Sequence, residues 1–492
     1  MTSTDRPALD YIFHPRSVAV VGASASSAGG QFVDALKSMP FQGSVYPVNP
    51  KMDIFMDLPC FPSLTAIPGP VDHVVSSVPA LALTQVVEDC GAKGVKVLHL
   101  FTSGLEETGQ ADRAELQQGV AKRARELGMR VIGPNCLGLF VPSEGIAWIS
   151  GLPKEPGPIA FISQSGANAA EFLFVAATFG LRFSKVMSYG NAVDLNESDF
   201  FDYCADDPDT EIVLAYIEGV KDGRRFRQAL TKAASRKPVV ILKGGRTEAG
   251  SRAVQSHTAS MAGSIETFEA LCRQAGAVVV NSMEELQDMA VAFRFVGRLA
   301  GPRAGVVSGG GGRSVLSADE LTAAGFEVPQ LTQKAQEKLR EFTPSAGTSV
   351  RNPVDTSVMW IGGELAGDLL ARTIKAVASS DNVDFVILEH GVQFGPRRSW
   401  QSMEEIPNWL EVTLTTGLQK CAGLGKPLLF SDLPVCTPEA FASTLRFREV
   451  CARQGVGVFP GMRRTVQALA RLLDWQERAA GRESARPSLA SC

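Results

Sequence analysis

The sequence predicts an α/β protein of three consecutive doubly wound domains, each a parallel sheet with helices on both faces. Two observations carry that expectation. An apolar run, a turn of small residues and a helix-like stretch follow one another three times, opening at Ser17–Val21, Ile159–Ile162 and Gly305–Val307. Breaks rich in proline and glycine, PKEPGP at 153–158 and AGPRA at 300–304, stand just ahead of the second and third occurrences. Strands alternating with helices build parallel sheets, and such sheets take ligands at their strand C-terminal ends. The 492 residues suit three domains of roughly 150 residues each. The expected divisions are 1–150, 151–299 and 300–476, followed by a flexible tail at 477–492 rich in Arg, Ser, Ala and Pro.

In the first domain the run ending at Val21 stops at Gly22-Ala23-Ser24 and leads through Gly29 and Gly30 into a helix-like stretch, Gln31–Ser38. Such a turn aims helix N-terminal N–H groups at a phosphate, and it is also the routine joint of any doubly wound fold. GASASSAGG is not the full dinucleotide fingerprint. The next run, Ser44–Val48, ends in Asn49-Pro50-Lys51, where a ribose-binding NAD site wants a carboxylate; Lys51 suits a phosphate instead. A dehydrogenase reading therefore rests on one βαβ unit and lacks its acidic residue. Further strand-like runs end in Val78-Pro79-Ala80, in Thr102-Ser103-Gly104 and in GPNCLGL at 133–139.

The second domain opens with Ile159–Ile162 running into Ser163-Gln164-Ser165-Gly166 ahead of a helix-like stretch. Hydroxyls and N–H groups at a helix start favour a phosphoryl group, and a serine N-cap is the plainer use of the same residues. Glu211–Ile217 is strand-like and ends at Glu218, a carboxylate that serves equally as an ion-pair partner or as the hydrogen-bond acceptor of an imidazole. The stretch 242–264, LKGGRTEAGSRAVQSHTASMAGS, then reads as a mobile loop of small residues carrying one histidine, His257. The other four histidines have structural settings: His73 and His99 lie in or beside apolar runs, His390 ends a strand and His14 is in the lead segment. A nucleophilic ring nitrogen on a small-residue loop suits a phosphoryl carrier.

Composition bounds the partners. The formal net charge is −4, with 45% hydrophobic and 20% charged residues, which argues against nucleic acid or an acidic membrane surface. Nine cysteines, at 60, 90, 136, 204, 272, 421, 436, 451 and 492, show no CxxC or metal spacing and fit reduced thiols in the cytoplasm. The segment MTSTDRPALDYIFHPRS lacks a basic start followed by an apolar run, so neither a secretory leader nor a membrane span is expected. HExxH, a Cys-rich metal pattern and a GxSxG triad are missing, and no metal is assigned to the chain.

The ordered series VAVVGAS (18–24), YPVNPK (46–51), SVPA (77–80), TSGLEETG (102–109), GPNCLGL (133–139), ISQSGA (162–167), KGGRTEAGSRAVQSHTASMAGS (243–264), SGGGG (308–312) and NPVD (352–355) resembles the α subunit of the nucleoside-diphosphate-forming acyl-CoA synthetases, which include succinyl-CoA synthetase. The resemblance runs from about Tyr11 to Leu473. It implies a Rossmann-like CoA-binding domain followed by two flavodoxin-like ligase domains. It implies CoA contacts at Gly22, Ser24, Asn49, Lys51, Val78, Pro79, Asn135 and Cys136. Ser163, Gln164, Ser165 and Gly166 would hold phosphate, and His257, supported by Glu218, would be phosphorylated. The implied reaction interconverts acyl-CoA, phosphate and ADP with carboxylic acid, CoA and ATP.

The sequence departs from the family twice. The usual SHTGxxAG is SHTASMAG here, with Ala259 and Met261. The ATP-grasp domain that binds nucleotide and Mg²⁺ in full-length relatives is not expected within these residues: either a separate ATP-grasp β subunit in a cytoplasmic hetero-oligomer supplies it, or the protein performs only the CoA and phosphate half of the chemistry. The alternative is a non-catalytic CoA or acyl-CoA sensor or scaffold of the same fold. The acyl group is unassigned; Trp360, Phe394 and Trp400 are pocket candidates whose plainer role is packing.

Overall fold

The computed structural model describes residues 7–258, 264–344, 348–355, 363–391 and 405–484, with the backbone alone at 255–258, 363–364, 405–410 and 483–484. Ala259, Met261, Trp360, Phe394, Trp400 and Cys492 lie outside the described residues. The chain forms two compact units: Met1–Phe174 with Arg182–Leu286, and Val175–Leu181 with Gln287–Cys492.

The first unit holds two large sheets. In the first, β1 (Ser17–Val21), β2 (Ser44–Val48), β5 (His73–Ser76), β6 (Val97–Leu100) and β7 (Arg130–Ile132) are all parallel in the order β2-β1-β5-β6-β7. A small hairpin, β3 (Ile54–Phe55) and β4 (Leu58–Pro59), stands apart from that sheet. Helices α1 (Ala28–Ser38), α2 (Leu83–Lys93) and α3 (Ala111–Glu126) supply the crossovers. The second sheet has the order β13-β12-β11-β9-β10-β8, formed by β8 (Gly138–Phe140), β9 (Ile159–Ser163), β10 (Phe183–Ser188), β11 (Ile212–Ile217), β12 (Val239–Lys243) and β13 (Val278–Val280). Strands β9, β10 and β12 are buried along their whole length, as near-continuous apolar runs covered on both faces should be. Its helices are α4 (Gly166–Ala177), α5 (Glu197–Asp206), α6 (Gly223–Ala234), α7 (Glu248–Thr258) and α8 (Ile265–Ala275), and α9 (Met283–Val291) follows β13.

The second unit holds β14 (Ala304–Ser308), β15 (Val354–Asp355), β16 (Phe385–His390), β17 (Leu428–Asp432) and β18 (Gly457–Pro460), parallel in the order β15-β14-β16-β17-β18. Helices α10 (Gly311–Ala323), α11 (Gln333–Arg340), α12 (Gly363–Ala378), α13 (Glu405–Gln419), α14 (Pro438–Arg453) and α15 (Met462–Ser484) complete it. The NPVD turn works through Asn352, whose side chain accepts from Val306 N–H at 2.9 Å and donates to the carbonyls of Ala304 at 2.7 Å and Pro329 at 2.9 Å. Among the parallel strands of each large sheet the first lies between the second and the third, β1 between β2 and β5, β9 between β10 and β11, and β14 between β15 and β16, the flavodoxin-like winding that opens a crevice where the strand order reverses.

Three expectations are corrected. The strand Gly138–Phe140 lies ahead of the PKEPGP break, yet it pairs antiparallel with β10 and so belongs to the second sheet. The expected loop at 242–264 is helical from Glu248 to Thr258. Thr247 Oγ1 caps that helix by accepting Gly250 N–H at 3.1 Å, Glu248 pairs with Arg252 one turn on, and Val254 is buried beneath it. These three devices outweigh the low propensity of its glycine and serines. The expected tail is helical as far as Ser484, held by Trp475 edge-on to Phe293 at 4.9 Å and by the Arg478–Asp474 pair.

His73, His99 and His390 are each no more than 3% exposed. Burial holds them down to about 3, about 4 and about 4, with the neighbouring His99 adding to the effect on His73. They stay neutral in the fold while the unfolded chain takes up protons below about 6.5. Stability is therefore complete above that value and falls as pH drops toward 4, by up to about 1.4 kcal/mol per pH unit for each histidine. Urea unfolding of the full chain between pH 7 and 4.5 should show that slope, and His73→Leu should flatten it; an unaltered slope in the variant would count against this origin.

Candidate functional site

The crevice of the first sheet forms where β1, β2 and β5 end. Gly22 follows β1 with φ +89°, and a Cβ there would sit 2.9 Å from the Ser77 carbonyl oxygen, so the turn requires glycine. Its N–H reaches the Val48 carbonyl at 3.0 Å. Ser27 caps α1 and donates its hydroxyl to the Gly22 carbonyl at 2.8 Å. Asn49 fixes the other wall: its amide donates to the Ala23 carbonyl at 2.8 Å and its oxygen accepts Lys51 N–H at 2.9 Å. The result is a cleft of about 290 Å³ whose lining includes Gly22, Asn49, Lys51, Ser63, Val78 and Asp89.

Four of the eight expected CoA contacts thus meet in one cleft. Ser24 stays in the turn, its N–H bonded to Ser27 Oγ at 3.0 Å, and Pro79 precedes a short 3₁₀ turn, Ala80–Ala82. Asn135 and Cys136 lie elsewhere, in the GPNCLG turn after β7. Cys136 is 4% exposed, its thiol faces the Leu100 carbonyl, and burial pushes it well above the ordinary thiol range, so it is a protonated packing group. The turn is strapped to the segment after β10: Asn191 N–H reaches the Pro134 carbonyl at 3.0 Å and Val193 N–H the Gly133 carbonyl at 3.0 Å. Leu137 then packs where a Cβ on Gly166 would meet it at 2.9 Å, which brings this turn to the start of α4.

The crevice of the second sheet lies between the ends of β9 and β11. Ser165 Oγ accepts Asn168 N–H at 3.3 Å and Gly166 begins α4, so these two residues form the helix start, whose first-turn N–H groups have no intrahelical acceptor. Ser163 and Gln164 do other work. Ser163 is fully buried and donates to the Ser165 carbonyl at 2.7 Å. Gln164 is 4% exposed, and its side-chain oxygen accepts the N–H groups of Glu218 at 2.8 Å and Gly219 at 3.0 Å. The expected phosphate motif is therefore half helix start and half clamp.

Glu218 itself is 5% exposed. Tyr216 donates its hydroxyl to Glu218 Oε1 at 3.1 Å, and Lys243, buried at the end of β12, donates to the Glu218 carbonyl at 2.6 Å. Burial lowers the Lys243 ammonium while the Glu218 charge opposes that shift. Tyr216 and Lys243 escaped the sequence reading. The alternation of two along β11, which sets Tyr216 and Glu218 on one face, was the available signal for the first.

His257 lies in the last turn of α7, and its imidazole is outside the described side chains. The entrance to α7 is tied down: Arg246 pairs with Glu269 of α8 at 2.8 Å and donates to the Val280 carbonyl at 3.4 Å. The helix lies against the 3₁₀ turn Glu106–Thr108 in the TSGLEETG stretch. Glu107 in turn accepts from Asn191 at 2.7 Å. One unit thus holds the cleft of the first sheet, the SQSG helix start, Glu218 and the helix of His257. Among the described residues no group of three or more His, Cys, Asp or Glu is placed to hold a metal, and no helix is long and apolar enough to cross a membrane.

In the second unit the Ser308–Gly312 turn ends β14. Glu389, buried at the end of β16, accepts the hydroxyls of Ser317 at 2.6 Å and Ser308 at 3.3 Å, and burial raises its carboxyl.

Residues 16–142 match the family described as CoA binding domain, and residues 156–293 match the succinyl-CoA ligase like flavodoxin domain. The chain is 38% identical over 381 residues to the α subunit of ADP-forming acetate–CoA ligase II of Pyrococcus furiosus, covering 77% of this chain and 81% of that protein. It is 37% identical to ADP-forming acetate–CoA ligase I of Archaeoglobus fulgidus, covering 77% of this chain and 54% of the relative, so it spans about half of that longer chain. Among solved structures, the dinucleotide forming acetyl-coenzyme A synthetase 1 of Ca. Korarchaeum cryptofilum, in complex with phosphate and ADP, aligns with a TM-score of 0.81 and 29% identity over 97% of this chain and 99% of that one. With its sheets, its motif order and a relative of this identity and coverage in agreement, the chain belongs to the family of ADP-forming acyl-CoA ligases.

Proposed function

We propose that the chain is the CoA- and phosphate-handling α subunit of an ADP-forming acid:CoA ligase, working with an ATP-grasp partner subunit that holds ADP or ATP and Mg²⁺ in a cytoplasmic hetero-oligomer. The observation that carries this reading is the grouping on adjacent strands of one sheet: the Ser165–Gly166 helix start after β9, Glu218 after β11 and the His257 helix after β12. Support for the partner comes from relatives named as α subunits alongside single chains about twice as long as the matched region.

In the proposed reaction CoA lies in the cleft of Gly22, Asn49, Lys51 and Val78, and Lys51 meets a phosphate of the ligand. A phosphate oxygen attacks the thioester carbonyl; the C–S bond breaks, CoA leaves with the electron pair and takes up the proton that phosphate gives up, and an acyl phosphate results. The unprotonated imidazole nitrogen of His257 then attacks phosphorus while the carboxylate leaves with the electrons of the broken P–O bond. The other ring nitrogen keeps its proton and donates it in a hydrogen bond to Glu218, which stabilises the positive charge gained by the ring. The helix start at Ser165–Gly166 supplies N–H donors for the phosphoryl oxygens. The phosphoryl group finally passes to ADP on the partner, and every step is reversible.

Incubating the full chain with radiolabelled acetyl phosphate should label His257. His257→Ala should take no label, and Glu218→Gln should label about 100-fold more slowly. A wild-type chain that binds CoA and takes no label, either from acetyl phosphate or from ATP with the partner, would overturn the reading. Lys51→Ala should weaken CoA about 3- to 10-fold in calorimetry, the worth of one exposed phosphate contact; an unchanged Kd would remove Lys51 from the site.

A further inference from the structure

The side chains of Tyr216 and Glu218 stand two residues apart on one face of β11, and three elements close on them. From β9, Ser163 lies opposite Tyr216 in register and Gln164 clamps the amide of Glu218. From β12, Gly244 passes directly over the pair, its N–H bonded to the Ile217 carbonyl at 2.8 Å. A Cβ on Gly244 would lie 2.7 Å from the Tyr216 hydroxyl and 3.2 Å from Glu218 Cγ, so glycine is what allows the chain toward α7 to lie flat on them. From the first turn of α4, the Asn168 side chain also hydrogen-bonds Tyr216. Among the described residues, the titratable groups facing Glu218 include Tyr216 of β11, Lys243 of β12 and Tyr189 after β10.

We propose that Tyr216 is a positioning residue of the phosphoryl-transfer site: its hydroxyl, donating to Oε1 at 3.1 Å, locks the Glu218 side chain in one orientation. The inference rests on the function proposed above and extends it to a residue that acts through Glu218. Burial, and then the charge of Glu218, hold the phenol above its ordinary range, so it remains a donor across the working pH. Glu218 is 5% exposed, and a buried carboxyl group is sensitive to each hydrogen bond it accepts. A hydrogen bond to a charged group is strong enough that its loss raises a carboxyl by about one pH unit or more.

The test is the rate of His257 labelling by radiolabelled acetyl phosphate as a function of pH, in the full chain, with CoA affinity measured in parallel. Tyr216→Phe should keep the wild-type CoA affinity, label about 10-fold more slowly at neutral pH and show its acidic limb moved up by about one unit. Gly244→Ala, which drives a methyl group against the Tyr216 hydroxyl, should move the limb in the same direction. A slower Tyr216→Phe with an unmoved limb indicates a purely structural role and overturns the inference. Should Tyr216→Phe lose CoA binding, Gly244→Ala decides, and a wild-type limb in that variant overturns it. A wild-type chain without label overturns the functional reading itself, which separates the two failures.

Discussion

Two hydrogen bonds from one side chain hold the second sheet open at the place where its strand order reverses. Beyond the last rung of the ladder between β9 and β11 the strands diverge, and the N–H groups of Glu218 and Gly219 are buried without a strand to receive them. Gln164 Oε1 accepts both, at 2.8 and 3.0 Å. A buried N–H left unsatisfied costs about 1–3 kcal/mol, so two of them would cost enough to shift the strand end. With the amides fixed, the Glu218 carboxylate has a defined origin. Tyr216, Lys243 and the path of Gly244 are then referred to that point.

The same logic divides the motifs by burial. Ser163, Gln164 and Cys136 are each no more than 4% exposed and are spent on internal contacts. Ser165, Gly166 and Lys51 are not buried and remain near surfaces that a ligand can reach. The two sheets of the first unit are joined by part-buried polar contacts. Arg130 of β7 grips Asp194 with two bonds, at 2.8 and 3.2 Å, and Asp194 also accepts Val131 N–H at 2.8 Å. A forked guanidinium–carboxylate pair fixes angle as well as distance. This pair lies beside the strap between the GPNCLG turn and the segment after β10, so the cleft of the first sheet and the helix start of the second share one frame.

Strands such as IAFIS and VVILK were legible in the sequence because a buried parallel strand is written as a continuous apolar run, and the glycine turns punctuate them. The helix of His257 was not. Its small residues gave a composition that reads as loop, and the features that make it a helix, a threonine cap, one Glu–Arg pair and one buried valine, are each a single residue. The three-residue strand β8 was invisible for a different reason: its pairing with β10 is decided by a neighbour some 50 positions on, after the proline break. Glu218 could be picked out as a carboxylate at a strand end, but its clamp could not. Gln164 is 54 residues away and its role exists only once β9 and β11 are adjacent.

Comparison of the second and third sheets, each taken by itself, shows why topology alone does not assign chemistry. The parallel strands of both wind in the same order, and both place a buried glutamate at the end of a strand paired with the first of these: Glu218 after β11 and Glu389 in β16. In the second sheet the turn after the first strand supplies an acceptor, Gln164, that takes backbone N–H groups and leaves the carboxylate of Glu218 to other donors. In the third sheet the polarity is reversed: Ser308 and Ser317 are donors, and the carboxylate of Glu389 is the acceptor that receives both. That carboxylate is consumed in holding β14 and α10. A neutral amide at the turn therefore satisfies the backbone of the neighbouring strand end, and hydroxyls in the third sheet enlist the glutamate side chain as structure. The distinction lies in which partner accepts, and it gives two buried glutamates at matching places on the same winding different hydrogen-bond surroundings.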